Sequence, residues 1–341
     1  MKLSIIIPFY NSADTLSRCL EALKTSTLVP DEVIVVDDSS TDESSHITCQ
    51  LNARLLRLTD GPKGPAAARN RGAEVACGDI LVFVDADIVV HSQTFEKINE
   101  IMVVHPDLAA VFGSYDDHPV HRGMISLYKN LQHHYVHHHS RREASTFWAG
   151  CGAIRRTVFF ELGGFDESYR RPSIEDIELG FRMTRAGYQI LLCTEVRVTH
   201  LKKWTLSSWL HSDILDRAIP WTRLIHSTSH LPSALNLDWK SRMSAMTAWL
   251  SIGFFLAGLW FPRAWVGMLF SLTALGLLNF GLYRLFYRKG GLLFAALSFC
   301  LHIIYYLYSS LTFFVLLVWY RLMGKAKQRP KSFTGLKRIS E

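Results

Sequence analysis

The sequence predicts an α/β fold built on a parallel sheet and followed by a carboxyl-terminal group of apolar membrane helices. Three observations carry this. Short apolar runs ending in acids or turn residues alternate with helical patterns through the first two hundred residues. One of them, Ile80-Leu-Val-Phe-Val84, leads directly into Asp85-Ala86-Asp87. From Ala245 onward the chain is dominated by apolar residues. Strands that alternate with helices imply right-handed crossovers between parallel neighbours.

In order along the chain, Leu3 to Asn11 reads as a buried strand stopped by Pro8, because proline cannot continue a central ladder. Asn11-Ser12-Ala13-Asp14 supplies helix-start chemistry, and Leu16, Leu20 and Leu23 continue one apolar face. Val33 to Val36 is a second strand, ending in Asp37-Asp38-Ser39-Ser40. The Gly/Pro-rich stretch Gly61 to Gly72 runs into a helix carrying Arg69 and Arg71. Glu195 to His200 is strand-like, and Ser173 to Arg185 opens a helix with Asp176 in its first turn. The helix dipole and unpaired N–H groups favour an ionised acid there, which is also the ordinary capping use of such a residue.

The corner at Asp85 and Asp87 offers oxygen ligands at the carboxyl edge of a sheet, where open α/β folds bind ligands. Hard oxygen donors suit Mg²⁺ or Mn²⁺, held by one or two carboxylates together with substrate phosphates. Strand ends also carry Asp as a plain turn residue. The assignment therefore draws on the neighbouring strands, whose carboxyl ends gather Pro8 to Asn11, Asp37 and Asp38 on the same rim. No Gly-x-Gly-x-x-Gly follows the first strand, so a dinucleotide dehydrogenase is not supported.

Pro8-Phe9-Tyr10-Asn11, Val36-Asp37-Asp38-Ser39-Ser40, Ala68-Arg69-Asn70-Arg71-Gly72, Asp85-Ala86-Asp87, Gly163-Gly164-Phe165-Asp166-Glu167 and Glu175-Asp176 occur in that order. The set resembles the family 2 glycosyltransferases, nucleotide-sugar enzymes with the Rossmann-like GT-A fold, over roughly residues 3 to 225. The resemblance implies a UDP- or GDP-linked sugar donor bound by Pro8, Phe9, Tyr10, Asn11, Asp37, Asp38, Ala68, Arg69, Asp85 and Ala86. Within that set Asp38 would read the base, Tyr10 would stack near it, and Arg69 would lie close to the base or phosphates. Asp87 would be the direct ligand of Mg²⁺ or Mn²⁺, Asp85 would lie nearer the ribose and metal shell, and His200 is a candidate third ligand. Asp176 would be the general base with Glu175 in support. Pro220-Trp221 resembles the Arg-Trp-type segment that closes the donor site in membrane-bound relatives, although the departure from that pattern is large.

With 341 residues, a formal charge of +7 and positive mean hydropathy, the chain has room for one large domain and an apolar appendage. Met246 to Phe261, Ala264 to Tyr283 and Leu292 to Tyr320 are long apolar runs, and Trp249, Trp260, Trp265, Tyr283, Tyr287, Trp319 and Tyr320 lie near their ends. Spans need about 20 apolar residues and carry interfacial aromatics, so two to three crossings are expected between residues 245 and 320. Arg284, Arg288 and Lys289 mark a basic loop, and residues 321 to 341 a basic tail. Between the domain and the spans, residues 201 to 240 hold Trp204, Trp209, Leu210 and Ile214 interleaved with Lys202, Lys203 and Arg217. A basic, Trp-bearing amphipathic segment is expected to lie flat in the headgroup layer.

The amino terminus lacks a signal-peptide core, and the six cysteines show no CxxC or disulfide spacing. A multi-pass cell-membrane protein with its catalytic domain in the cytoplasm follows. His133, His134, His137, His138 and His139 share helical spacing, but no carboxylate or Cys follows at zinc spacing. An acceptor-headgroup surface near Lys129, Arg141 and Arg142 fits them better. The +7 charge concentrates beside the apolar runs and does not indicate a nucleic-acid partner. The sequence thus points to an inverting, metal-dependent transfer of sugar to a lipid-linked or membrane-proximal acceptor. The alternatives are a processive polysaccharide synthase of the same family and a non-catalytic membrane scaffold.

Overall fold

A computed structural model describes residues 1–49, 53–228 and 238–322. The chain runs β1 (Leu3–Phe9), α1 (Ala13–Lys24), β2 (Glu32–Asp37), α2 (Ser44–Cys49), β3 (Arg54–Arg57), α3 (Pro65–Val75), β4 (Ile80–Val84), β5 (Ile88–Val90) and α4 (Thr94–Val104). It continues through β6 (Leu108–Tyr115), α5 (Met124–His139), β7 (Glu143–Ala144), β8 (Cys151–Arg155), α6 (Arg156–Glu161), α7 (Glu175–Arg185) and β9 (Gln189–His200). Next come α8 (Leu206–His211), a π-helical segment (Ser212–Ala218), α9 (Ile219–Thr228), α10 (Trp239–Gly258), α11 (Ala264–Leu278) and α12 (Phe280–Leu322).

Among the described residues the strands form one sheet in the order β3-β2-β1-β4-β8-β6-β9-β5, with β7 paired to β9. Strands β3, β2, β1 and β4 are parallel, as the alternating pattern predicts. The other half is mixed, because β8 lies antiparallel between β4 and β6, and β5 runs antiparallel to β9. The chain reaches β8 at the carboxyl edge, where the Gly150 carbonyl accepts the Asp85 N–H, and so must run back down the sheet. Pro8 does not stop β1, which continues to Phe9. The β4 ladder leaves β1 at Ile6, so the missing proline donor falls where β1 pairs with β2 alone.

Helices cover both faces, which is why Ile5, Ile6 and Ile7 are all fully buried. Ile5 and Ile7 pack with Leu16 and Leu20 of α1 and with Phe95 and Ile98 of α4. Ile6 faces Ala66 and Ala68 of α3 and Leu179 and Met183 of α7. Each such side chain contributes about 1.5–3 kcal/mol of burial. Gly180 lets α7 lie directly on the preceding loop, since a Cβ there would stand 2.1 Å from the Phe147 amide nitrogen.

The segment after β9 differs from the expected interfacial helix. Trp204 and Trp209 are buried, packed with Tyr128 and Leu131 of α5 and with Phe286 and Phe294 of α12. Tryptophans that would rest among lipid headgroups instead dock α12 onto the catalytic domain. The expected basic loop is also helical: Arg284, Arg288 and Lys289 lie within α12, and Lys289 pairs with Asp117 at 2.5 Å. The helix kinks two residues later at Gly291, whose φ of 78° is readily adopted only by glycine.

Among the described residues one helix, α12, is long and apolar enough to cross a membrane. At 15 residues α11 extends about 22 Å, short of a hydrocarbon core of about 30 Å. It forms a hairpin with α10 that leaves Trp260, Phe261, Val266, Leu269 and Phe270 exposed. The basic tail beyond Leu322 lies outside the described residues.

Candidate active site

The carboxyl ends of β1, β2 and β4 converge on a cavity of about 1170 Å³ that α3, α7, α9 and α12 help to wall. Pro8, Phe9 and Tyr10 reach it from β1, with Tyr10 47% exposed at its rim. The Asp38 carboxylate accepts the N–H groups of Lys63 (2.8 Å) and Gly64 (2.7 Å), fixing the Gly/Pro-rich loop against β2. Ala68 and Ala86 keep the wall thin. Trp221 of α9 lines the cavity as well.

Asn11 and Asp37 do not line the cavity. The Asn11 side-chain Oδ1 accepts the Thr41 N–H at 2.8 Å. Asp37 accepts bonds from the Ser40 N–H, the Ser45 hydroxyl and Arg57 Nε at 2.7, 2.5 and 2.9 Å. Both close the turn after β2, a structural use of the same motif.

Arg69 does not reach freely toward a base or phosphate. Its buried guanidinium bridges Asp85 Oδ1 at 2.6 Å and Glu175 Oε1 at 2.8 Å, tying the end of β4 to the start of α7. Burial pushes the Asp85 carboxyl upward against the pull of Arg69. At Asp87 burial acts in the same sense, but the neighbouring His200 outweighs it and holds the carboxyl below its ordinary range.

His200 Nε2 stands 3.5 Å from Asp87 Oδ2, and its Nδ1 lies 2.7 Å from Asn130 Oδ1. With its Nε2 protonated the ring donates to Asp87; once Nε2 gives up that proton to take a cation, Nδ1–H still donates to the Asn130 amide oxygen and Nε2 presents a lone pair toward the carboxylate. A cation between two facing acceptors satisfies both, and the second bond of the imidazole fixes its orientation as in other metal-binding histidines. Asp85 is turned toward Arg69, and among the described residues no three His, Cys, Asp or Glu side chains form a ready metal cage. Asp87 and His200 therefore fit a divalent ion only if other ligands, such as those of a diphosphate, complete its shell.

Asp176, in the first turn of α7, lines the same cavity. Its Oδ2 accepts the Ala149 N–H at 3.1 Å and its Oδ1 the Ile177 N–H at 2.8 Å. Burial, reinforced by the adjacent Glu175 charge, lifts its carboxyl to about 7. Glu175 is committed elsewhere, to Arg69 and, through Oε2, to the Ser173 N–H at 2.9 Å.

The α5 histidines pack rather than coordinate. His133 and His137 stack on Tyr115 at 5.9 and 5.8 Å between ring centres, and Tyr115 in turn stacks on His200 at 4.5 Å. Burial pushes His137 down to about 3 and His138 to about 4, so both are neutral rings. Lys129, expected at a headgroup surface, is 3% exposed and pairs with Asp213 at 2.7 Å. Tyr115, Trp148, Lys129, Asp213 and Arg217 all line the cavity beyond the motif residues. One signal for the pair was present: Lys129 is the only Lys, Arg, Asp or Glu in α5, and a lone charge on an apolar helix requires a partner.

Residues 4–163 match the sequence model of Glycosyl transferase family 2. An O-antigen chain rhamnosyltransferase of Salmonella typhimurium is 26% identical over 235 residues, 65% of this chain and 74% of that one. A poly(ribitol-phosphate) beta-glucosyltransferase of Bacillus spizizenii is 40% identical over 126 residues, 33% of this chain and 20% of that one. The chain thus spans about three quarters of the first relative and only a fifth of the second. A mannosyltransferase of Pyrobaculum calidifontis, solved with GDP-Man and Mn²⁺, superposes with a TM-score of 0.56 at 18% identity. That match covers 93% of this chain and 87% of the other, and establishes likeness of fold.

Proposed function

We propose that this glycosyltransferase, whose residues 4–163 match the family 2 model, transfers a sugar, with inversion, from a nucleoside-diphosphate donor to a lipid-linked or membrane-proximal acceptor. The observation that carries the reading is one cavity lined by both a cation-compatible Asp87–His200 pair and a high-lying carboxylate, Asp176.

Bound Mg²⁺ or Mn²⁺ would neutralise charge on the departing nucleoside diphosphate. Asp87 and His200 hold that site, and Arg69 fixes Asp85 beside it. Tyr10 and the loop anchored by Asp38 border the base, and Trp221 lines the same cavity from α9. Asp176 accepts the acceptor hydroxyl's proton, and a base near 7 suits neutral conditions. Glu175 is held by Arg69 and Ser173, and Asp213 by Lys129, so Asp176 is left as the base and displacement proceeds in one step. The catalytic domain spans residues 1–225 and faces the cytoplasm. Residues 245–320 anchor it, with α12 crossing the bilayer and the α10–α11 hairpin completing a multi-pass arrangement.

A screen of labelled nucleotide sugars against a total lipid extract, with Mg²⁺ or Mn²⁺ and with excess EDTA, tests this. Transfer that disappears on chelation and in Asp87→Ala is expected. Full activity in EDTA removes the metal from the mechanism, and no transfer from any nucleotide sugar removes the reading.

A further inference from the structure

The cavity continues past Asp87 and His200. It runs between the π-helical segment, α9, the start of α10 and the middle of α12, where Ile225, Ala245 and Phe313 give it apolar walls. At the junction of its polar and apolar parts lies Asp213, 6% exposed. Its Oδ2 accepts three hydrogen bonds, from Lys129 Nζ (2.7 Å), Trp209 Nε1 (2.9 Å) and Tyr308 OH (2.7 Å). Its Oδ1 accepts none from the described residues. A buried carboxylate oxygen without a donor is costly, and such groups mark a missing water or ligand. Arg217, one turn further on, lines the same wall and donates to His133 Nε2 at 3.2 Å, one of the five N–H groups it carries. Trp221 follows on the next turn.

We propose that this end of the cavity is the acceptor subsite, and that it takes a hydroxyl-rich ring carried on an apolar stem. This rests on the glycosyl-transfer reading above and names its acceptor. A carboxylate oxygen that lacks a donor accepts a hydroxyl, Arg217 donates to ring oxygens, and the Trp221 face covers the ring's C–H surface. The stem leaves along Ile225, Ala245 and Phe313. An anionic head such as a lipid phosphate fits less well against Asp213 itself, because it would meet that carboxylate while the Lys129 charge is already matched at 2.7 Å; Arg217 and Arg242 line the same cavity, and the decyl phosphate arm of the test addresses them.

The test uses the full chain in phosphatidylcholine nanodiscs, titrated with decyl glucoside, methyl glucoside and decyl phosphate and followed by tryptophan fluorescence. Binding of UDP and GDP with Mn²⁺ is measured calorimetrically on the same samples. Decyl glucoside is expected to bind saturably, at least fivefold tighter than either of the other two probes. Asp213→Asn and Trp221→Ala should each weaken it at least fivefold. Nucleotide affinity in both variants should stay within twofold, which shows that each is folded with its donor site intact. Should Asp213→Asn fail to bind nucleotide, Trp221→Ala alone decides. Decyl phosphate binding as tightly as decyl glucoside, no saturable glucoside binding, or changes below fivefold in the folded variants would overturn the proposal. Failure of the wild type to bind either nucleotide instead counts against the donor reading, which the glucoside titration does not touch.

Discussion

Asp176→Asn separates chemistry from folding at this site. The carboxylate satisfies two backbone donors, the Ala149 and Ile177 N–H groups, with one oxygen each. Asparagine has a single acceptor oxygen, so one N–H loses its partner, at about 1–3 kcal/mol when buried. Against this, the neutral amide removes a charge that burial and Glu175 disfavour, as the carboxyl's rise to about 7 records. The two effects oppose each other, and the melting temperature should move little. Turnover should fall by about 10² or more, the usual contribution of a general base, or roughly 3 kcal/mol of barrier. The base must be deprotonated to act, so wild-type kcat/KM should rise with pH through about 7. At pH 6 it should be about a tenth of its plateau, by simple titration. The variant should lose that limb altogether. The assay is kcat/KM from pH 5.5 to 8.5 on a hydroxyl acceptor, with the anomeric configuration of the product. A retained configuration, or an Asp176→Asn enzyme with normal rate and the same pH limb, would refute the assignment.

Arg69→Met strips the counter-charge from Asp85 and Glu175 and should cost about 3–5 kcal/mol in chemical denaturation, as for other broken buried pairs; a loss under 1 kcal/mol would contradict the bridging role. Gly180→Ala improves helix propensity by about 1 kcal/mol, yet its Cβ meets the Phe147 backbone at 2.1 Å. A net destabilisation of about 1–3 kcal/mol is expected from overpacking, with slower turnover as α7 carries Asp176 away, and a stabilised, fully active variant would disprove the contact. Truncation before Trp239 removes Phe286 and Phe294 from the cluster around Tyr128 and Trp209, at about 3–5 kcal/mol for each large aromatic lost. The remaining domain should aggregate on size-exclusion chromatography, and a monodisperse fragment with a sharp melt would show that the domain folds without α12.

The first half of the chain was legible because its signals are local. A parallel strand buried on both faces is a continuous apolar run, and β1, β2 and β4 are such runs, β1 leading into Asn11 and the other two into paired acids. The start of α3 at Pro65 and of α7 beside Asp176 follows from helix-start chemistry within a few residues. The antiparallel insertion of β8 was not legible, since Cys151–Arg155 is apolar in either direction and only its neighbours decide the pairing. The same limit explains the tryptophans after β9. Trp204 and Trp209 alternate with basic residues as an interfacial helix would, and whether they meet lipid or protein depends on the position of α12.

Within the site, the identity of the carboxylates came from the sequence, but their employment did not. Asp37 and Asp38 are adjacent, yet one closes a turn and the other holds a loop on the cavity wall. Asp85, Arg69 and Glu175 come from three separate segments and meet only when β4, α3 and α7 pack together. The Lys129–Asp213 pair joins residues 84 positions apart. Sequence determines which groups can ionise, turn a chain or fill a core, because those properties belong to a residue and its near neighbours. Which charge faces which, and which oxygen is left to meet a ligand, depends on distances of a few ångströms between remote segments, and these exist only once the chain has folded.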